Sequence, residues 1–214
     1  MSRRTIAGDV RSSMSSAGRC FVYVLPCVWE DLLKLGFSRD PLARMRSLHR
    51  RWFEFFDLDR TILVETETVS DARRLELELA RPIAIHGAVE PITIRSEAAG
   101  RTEWYRGASL HLVSEVERLR ARGFVVHEPA RNWLRDRLVA QADGLYSWSG
   151  EILAVIDQPG VPGAASDVLI GRLCDVLDAY AAFAIDLDRW LPEGVKTWLG
   201  QRRRATPSIS ARDA

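Results

Sequence analysis

Apolar residues run unbroken from Phe21 to Pro26 and return over Leu32 to Phe37, interrupted there by Lys34 and Gly36. Two such runs with Cys27 to Asp31 between them predict an antiparallel strand pair closed by a hairpin loop. Asp40 followed by Pro41 is a helix start. The Asp side chain can accept from the free N–H groups of the first turn, and Pro at the first helical position gives up no hydrogen bond. This helix is expected to run from Pro41 to about Arg50. Thr61 to Val69, "TILVETETV", alternates as a third strand, with Ile62, Val64, Thr66 and Thr68 on one face. Ser70 is the expected cap of the next helix, where Ala72, Leu75, Leu79 and Ile83 recur at helical spacing and Glu76 stands half-buried on the margin of the apolar stripe. Residues 86–102 read as a loop, "RTEWYRG" at 101–107 as a short edge strand, and Ser109 to Arg122 as a helix stopped by Gly123. The expected fold class is α+β: a small antiparallel three-stranded sheet flanked by helices in the order β-β-α-β-α.

From Pro129 the period changes and strand signals cease. Trp133, Leu134, Leu138, Val139, Leu145, Tyr146, Ile152 and Val155 predict one or two amphipathic helices, and "DQPGVPGA" at 157–164 is a break. Leu169, Leu173, Val176, Tyr180, Phe183, Leu187 and Leu191 then keep a 3-to-4 spacing, as in a second long helix of an all-helical C-terminal domain. The expected division is a disordered basic arm at 1–19, an α+β domain at 20–127, a helical domain at 128–200 and a disordered basic tail at 201–214.

Composition adds exclusions. The chain has 214 residues, 47% of them hydrophobic, enough for a sizeable core. No apolar run approaches the roughly 20 residues of a membrane span, and the Arg- and Ser-containing start lacks a hydrophobic leader, so a cytoplasmic location is expected. Cys20, Cys27 and Cys174 form no C-x-x-C pair and read as reduced, space-filling thiols. The formal net charge is +1. Residues 128–200 are acidic and would repel a phosphate backbone, whereas Lys34, Arg39, Arg44, Arg46, Arg50 and Arg51 face only Asp40 within residues 34–51.

Taken singly, Tyr23 reads as a core aromatic, Gly36 as a strand bulge, Arg44 as a surface charge and Glu76 as a helix-margin carboxylate. Their order and spacing say more. "FVY" at 21–23, "KLG" at 34–36, Arg44 eight residues after Gly36, "ARRLE" at 72–76 and "EWY" at 103–105 together resemble the GIY-YIG nuclease family. The likeness is to its compact branch of phage, bacterial and fungal proteins, in which the second motif reads Lys-Ile-Gly. It covers about residues 20–122 and leaves the helical half unexplained. It implies a DNA endonuclease with Tyr23, Lys34, Arg44 and Glu76 as catalytic residues, Glu76 as the single ligand of Mg²⁺ or Mn²⁺, and by family analogy a role in defence against foreign DNA.

These residue types suit phosphodiester hydrolysis. A half-buried glutamate can hold one Mg²⁺, and a guanidinium can donate paired hydrogen bonds to phosphoryl oxygens as charge grows there. Tyr23 or Lys34 would activate the attacking water, a choice the sequence leaves open. Gly36 would let substrate approach the backbone, and Arg39, Arg46, Arg50 and Arg51 would follow the phosphates. The chain departs from the family pattern at Phe21, where the first glycine is expected, and at Leu48, where some relatives carry His or Tyr. His49 lies about 100° further round the helix and reads as a surface histidine; His86 and His111 read as structural. The helical half is expected to dimerise, select substrate or dock a protein partner. Two other readings compete: a catalytically silent nucleic-acid-binding or protein-interaction module on the same scaffold, and a helical adaptor whose acidic half binds a basic partner.

Overall fold

A computed structural model describes residues 18–95, 102–160 and 162–205. The expected basic arm lies outside these residues up to position 17, as does the tail beyond 205. The first half is built on six antiparallel strands: β1 Cys20–Pro26, β2 Leu32–Ser38, β3 Ile62–Thr66, β4 Gly87–Ala88, β5 Trp104–Arg106 and β6 Val126–His127. Their spatial order is β4-β5-β2-β1-β3-β6. The class is α+β as expected, but among the described residues the sheet has six strands rather than three. The additions are two or three residues long, too short for an alternating pattern to register, and β6 was unsignalled. β5 is not an edge strand; β4 covers its outer side.

Eight α-helices accompany the sheet within the described residues: α1 Pro41–Leu48, α2 Trp52–Phe55, α3 Val69–Ala80, α4 Ser109–Ala121, α5 Arg131–Ala140, α6 Leu145–Ile156, α7 Gly163–Ala182 and α8 Glu193–Ala205. Asp40 caps α1 by accepting from Ala43 N. That helix stops at Leu48 rather than near Arg50. His49 is extended, its ring stacks on Phe55 with centroids 4.2 Å apart, and its Nδ1 accepts from Arg51 N, so local side-chain contacts replace the next helical turn. His49 is therefore half-buried rather than a surface residue. Thr68, not Ser70, caps α3: its hydroxyl accepts from Asp71 N at 3.1 Å. α4 ends beside Gly123, whose φ of +89° suits a residue without Cβ.

Alternation along the central strands divides the core. Val22, Val24, Leu33 and Leu35 pack with Ala72, Leu75 and Leu79 of α3 and Leu112, Val116 and Leu119 of α4. Phe21, Tyr23 and Leu25 face the other way, into a cluster with Leu42, Met45 and Trp52 of α1–α2 and Leu134, Leu138, Leu173, Leu177 and Tyr180 of the helical half. The Tyr180 hydroxyl donates to Leu138 O at 3.1 Å within it. The break at 157–164 falls between α6 and α7 as expected, but the following helix does not reach Leu191. It ends at Ala182, Ala184 turns left-handed at φ +51°, and α8 starts after Pro192. α8 continues to Ala205, so the start of the expected disordered tail is helical. Among the described residues no helix is long and apolar enough to cross a membrane.

Candidate active site

Opposed residues of an antiparallel pair share a face, and the β1–β2 register sets Tyr23 opposite Gly36 and Leu25 opposite Lys34. Tyr23, Lys34 and Gly36 thus occupy one face near the centre of the sheet. They line a cleft of about 330 Å³ with Phe37 of β2, Arg44 of α1, Arg73 and Glu76 of α3, and Glu103 from the residue before β5. Tyr23, Lys34, Gly36, Arg44 and Glu76 of the sequence reading meet here.

Gly36 acts differently from expectation. A Cβ at this position would press into Oη, Cζ and Cε2 of the Tyr23 ring, so what approaches the bare backbone is the phenol of the neighbouring strand. The ring is 2% exposed, and its hydroxyl accepts from Arg44 Nε at 3.3 Å. Burial pushes the phenol pKa up, with the Arg44 hydrogen bond and charge opposing it. Arg44 also donates from Nη1 to Ser47 Oγ at 3.3 Å, which fixes the guanidinium along the outer side of α1.

Lys34 is 1% exposed, and its ammonium donates to Thr102 O at 2.6 Å and to Glu103 Oε2 at 2.9 Å. Burial pulls its pKa below the ordinary lysine value; the Glu103 hydrogen bond and charge resist but do not reverse this. Glu103 has a left-handed φ of +61°, unusual for a residue with a side chain, and Thr102 Oγ1 donates to its second oxygen at 2.6 Å. Burial works against the Glu103 carboxylate, yet the hydrogen bonds from Thr102 and Lys34 hold it below the usual range. Among the described residues Glu76 has no such donors. Burial pushes its carboxyl up, the Glu103 charge adds to this, and Lys34 and Arg73 oppose it.

Among the described residues no three His, Cys, Asp or Glu side chains group to hold a metal by themselves. Mg²⁺ does not require such a group. It keeps several waters and is commonly held by one or two carboxylates plus substrate phosphate oxygens. A half-buried carboxylate with a raised pKa and a second carboxylate in the same open cleft fits a hydrated Mg²⁺ or Mn²⁺ with Glu76 as the main ligand. It does not fit a closed Cys/His zinc site.

The remaining basic residues of the sequence reading lie outside the cleft lining. Arg50 pairs with Asp175, and Arg51 binds Asp175 at 2.9 Å, Asp178 at 3.1 Å and Glu54 at 2.5 Å. Arg46 donates to Gln141 Oε1 at 2.9 Å. These three hold the helical half rather than presenting a free cationic surface. Arg39 is exposed. A roomier cavity of about 480 Å³ lies apart from this chemistry, and most of its charged groups pair among themselves as Arg19–Glu65, Arg74–Asp71 and Arg122–Glu78.

Besides Phe37, two charged lining residues escaped the sequence reading as site residues. Arg73 stands one helical turn before Glu76 on α3, a spacing that could have signalled it. Glu103 was visible only as the first residue of "EWY"; its role depends on strand pairing that brings it against Lys34. Compared with protein-family models, with curated proteins and with solved structures, the chain finds no match in any of the three.

Proposed function

We propose that this cleft hydrolyses DNA phosphodiester bonds with one divalent cation, Mg²⁺ or Mn²⁺. The observation that carries the reading is the meeting of Tyr23, Lys34, Arg44 and Glu76 in one open cleft, although they come from four different elements. These are the residue types, in the order, that the resemblance to GIY-YIG nucleases ties to catalysis.

Glu76 would hold the cation, which when bound supplies positive charge to the phosphate and to the departing oxygen. Arg44 is the donor to the phosphoryl oxygens, its guanidinium oriented by Tyr23 and Ser47. We assign the base role left open by the sequence to Lys34. Tyr23 is pushed towards its protonated form by burial, whereas Lys34 is pulled towards its neutral form. Tyr23 then orients Arg44 and, through its own O–H, the attacking water or a phosphate oxygen. Lys34 accepts the water proton, and Glu103 keeps the amine aimed and stabilises the ammonium that results. The test is cleavage of single- and double-stranded DNA by purified protein with Mg²⁺ and with EDTA.

A further inference from the structure

A cleft of about 330 Å³ holds no more than about one nucleotide, so a DNA strand must continue over neighbouring surface. We propose that a DNA strand leaves the cleft along the outer face of α3, with its phosphates on Arg73 and Arg81, and not over α1–α2. This rests on the nuclease reading of the cleft.

A shallow hollow of about 410 Å³ runs along α3, lined by Ser70, Arg73, Arg74, Leu77, Glu78 and Arg81. Arg73 lines both this hollow and the cleft, so the two adjoin at one arginine. Arg73, Leu77 and Arg81 recur at helical spacing on a single face. Eight residues of α-helix span about 12 Å, comparable to the axial rise of three to four phosphates at about 3.4 Å each.

Pairing decides which cations are available. Arg74 is held by Asp71 at 2.7 Å, and Glu78, the one acid of the hollow, is neutralised by Arg122. Arg73 and Arg81 are exposed and form no ion pair among the described residues. Leu77, 57% exposed between them, offers an apolar contact to deoxyribose. On the α1–α2 side, Arg46, Arg50 and Arg51 are engaged by Gln141, Asp175, Asp178 and Glu54, and a phosphate there would have to displace carboxylates.

The 214-residue chain carrying Glu76→Gln, which on the nuclease reading should bind without cutting, is titrated against a fluorescent DNA duplex between about 50 and 200 mM salt, where the logarithm of affinity falls linearly with that of salt. Adding R73Q and R81Q should weaken binding and reduce the salt slope by about 1.8, roughly 0.9 for each lost phosphate contact. Adding R50Q should leave the slope unchanged. An undiminished slope in the R73Q/R81Q protein, or a reduced one with R50Q, overturns the path. Cleavage by the unsubstituted protein, run alongside, keeps the two readings apart. Cleavage with an undiminished slope refutes only the path; a slope that falls without any cleavage supports the surface and refutes the nuclease.

Discussion

Lys34 Nζ sits 2.9 Å from Glu103 Oε2 beneath the surface of the sheet, a buried amine whose one carboxylate partner among the described residues is carried by a residue in left-handed conformation. The chain has only two lysines, Lys34 and Lys196, so the ammonium can be followed directly by ¹⁵N NMR. Lys34 should titrate below the ordinary lysine value of 10.5, and lower still after Glu103→Gln, which removes the interaction opposing burial. A folded pKa below the unfolded one means that the unfolded chain binds more protons over that interval, so this group's contribution to stability rises with pH there. A normal Lys34 titration would remove it as the base.

Gly36→Ala should destabilise the fold by about 1–3 kcal/mol, because the added methyl meets the Tyr23 ring in a packed core. Urea midpoints measure this. Combining it with Tyr23→Phe, which deletes the nearest clashing atom, should cost less than the sum of the single changes. Strict additivity would mean that the ring is not what excludes a side chain.

Glu76→Gln should raise thermal stability at pH 7 while abolishing cleavage. The folded-state carboxyl pKa is raised above 4.5, so the folded state binds the proton more readily and ionisation costs stability as pH rises through the shifted value. The gain should shrink as pH falls through the shifted carboxyl value and disappear only well below the ordinary glutamate value of about 4.3, where the group is protonated in folded and unfolded chain alike. Mg²⁺ should raise the melting temperature of the parent chain and leave that of Glu76→Gln unmoved.

Asp175→Asn should loosen the helical half, since Asp175 engages both Arg50 and Arg51. The arginines are partly exposed, so the loss should be on the order of 1 kcal/mol and smaller in high salt. Chemical denaturation at two ionic strengths checks both points.

What the sequence disclosed and what it hid follow from range. The β1–β2 hairpin, the Asp40–Pro41 helix start and the stripe of α3 are set by neighbours within a few residues, and each formed close to where it was expected. The stop at His49 depends on stacking against Phe55. The fate of Arg51 depends on Asp175, 124 residues away, so its charge looked available for phosphate when it is engaged in the fold. β4 and β6 have no period to read at two residues each. In the cleft, Tyr23, Lys34, Arg44 and Glu76 were legible through motif spacing. Arg73 and Glu103 needed the packing of α3 and the pairing of β5 with β2 to become visible.

The nuclease reading stands most directly on metal-dependent cleavage by three proteins: the parent chain, Arg44→Ala and Glu76→Ala, each verified as folded by circular dichroism. With Mg²⁺ the parent should cut DNA, and EDTA should stop it. Arg44→Ala should slow turnover by about 10²–10³-fold, as expected for a lost transition-state donor, and Glu76→Ala should abolish it. Undiminished cleavage in both variants, or none by the parent on single- and double-stranded DNA, would contradict the reading.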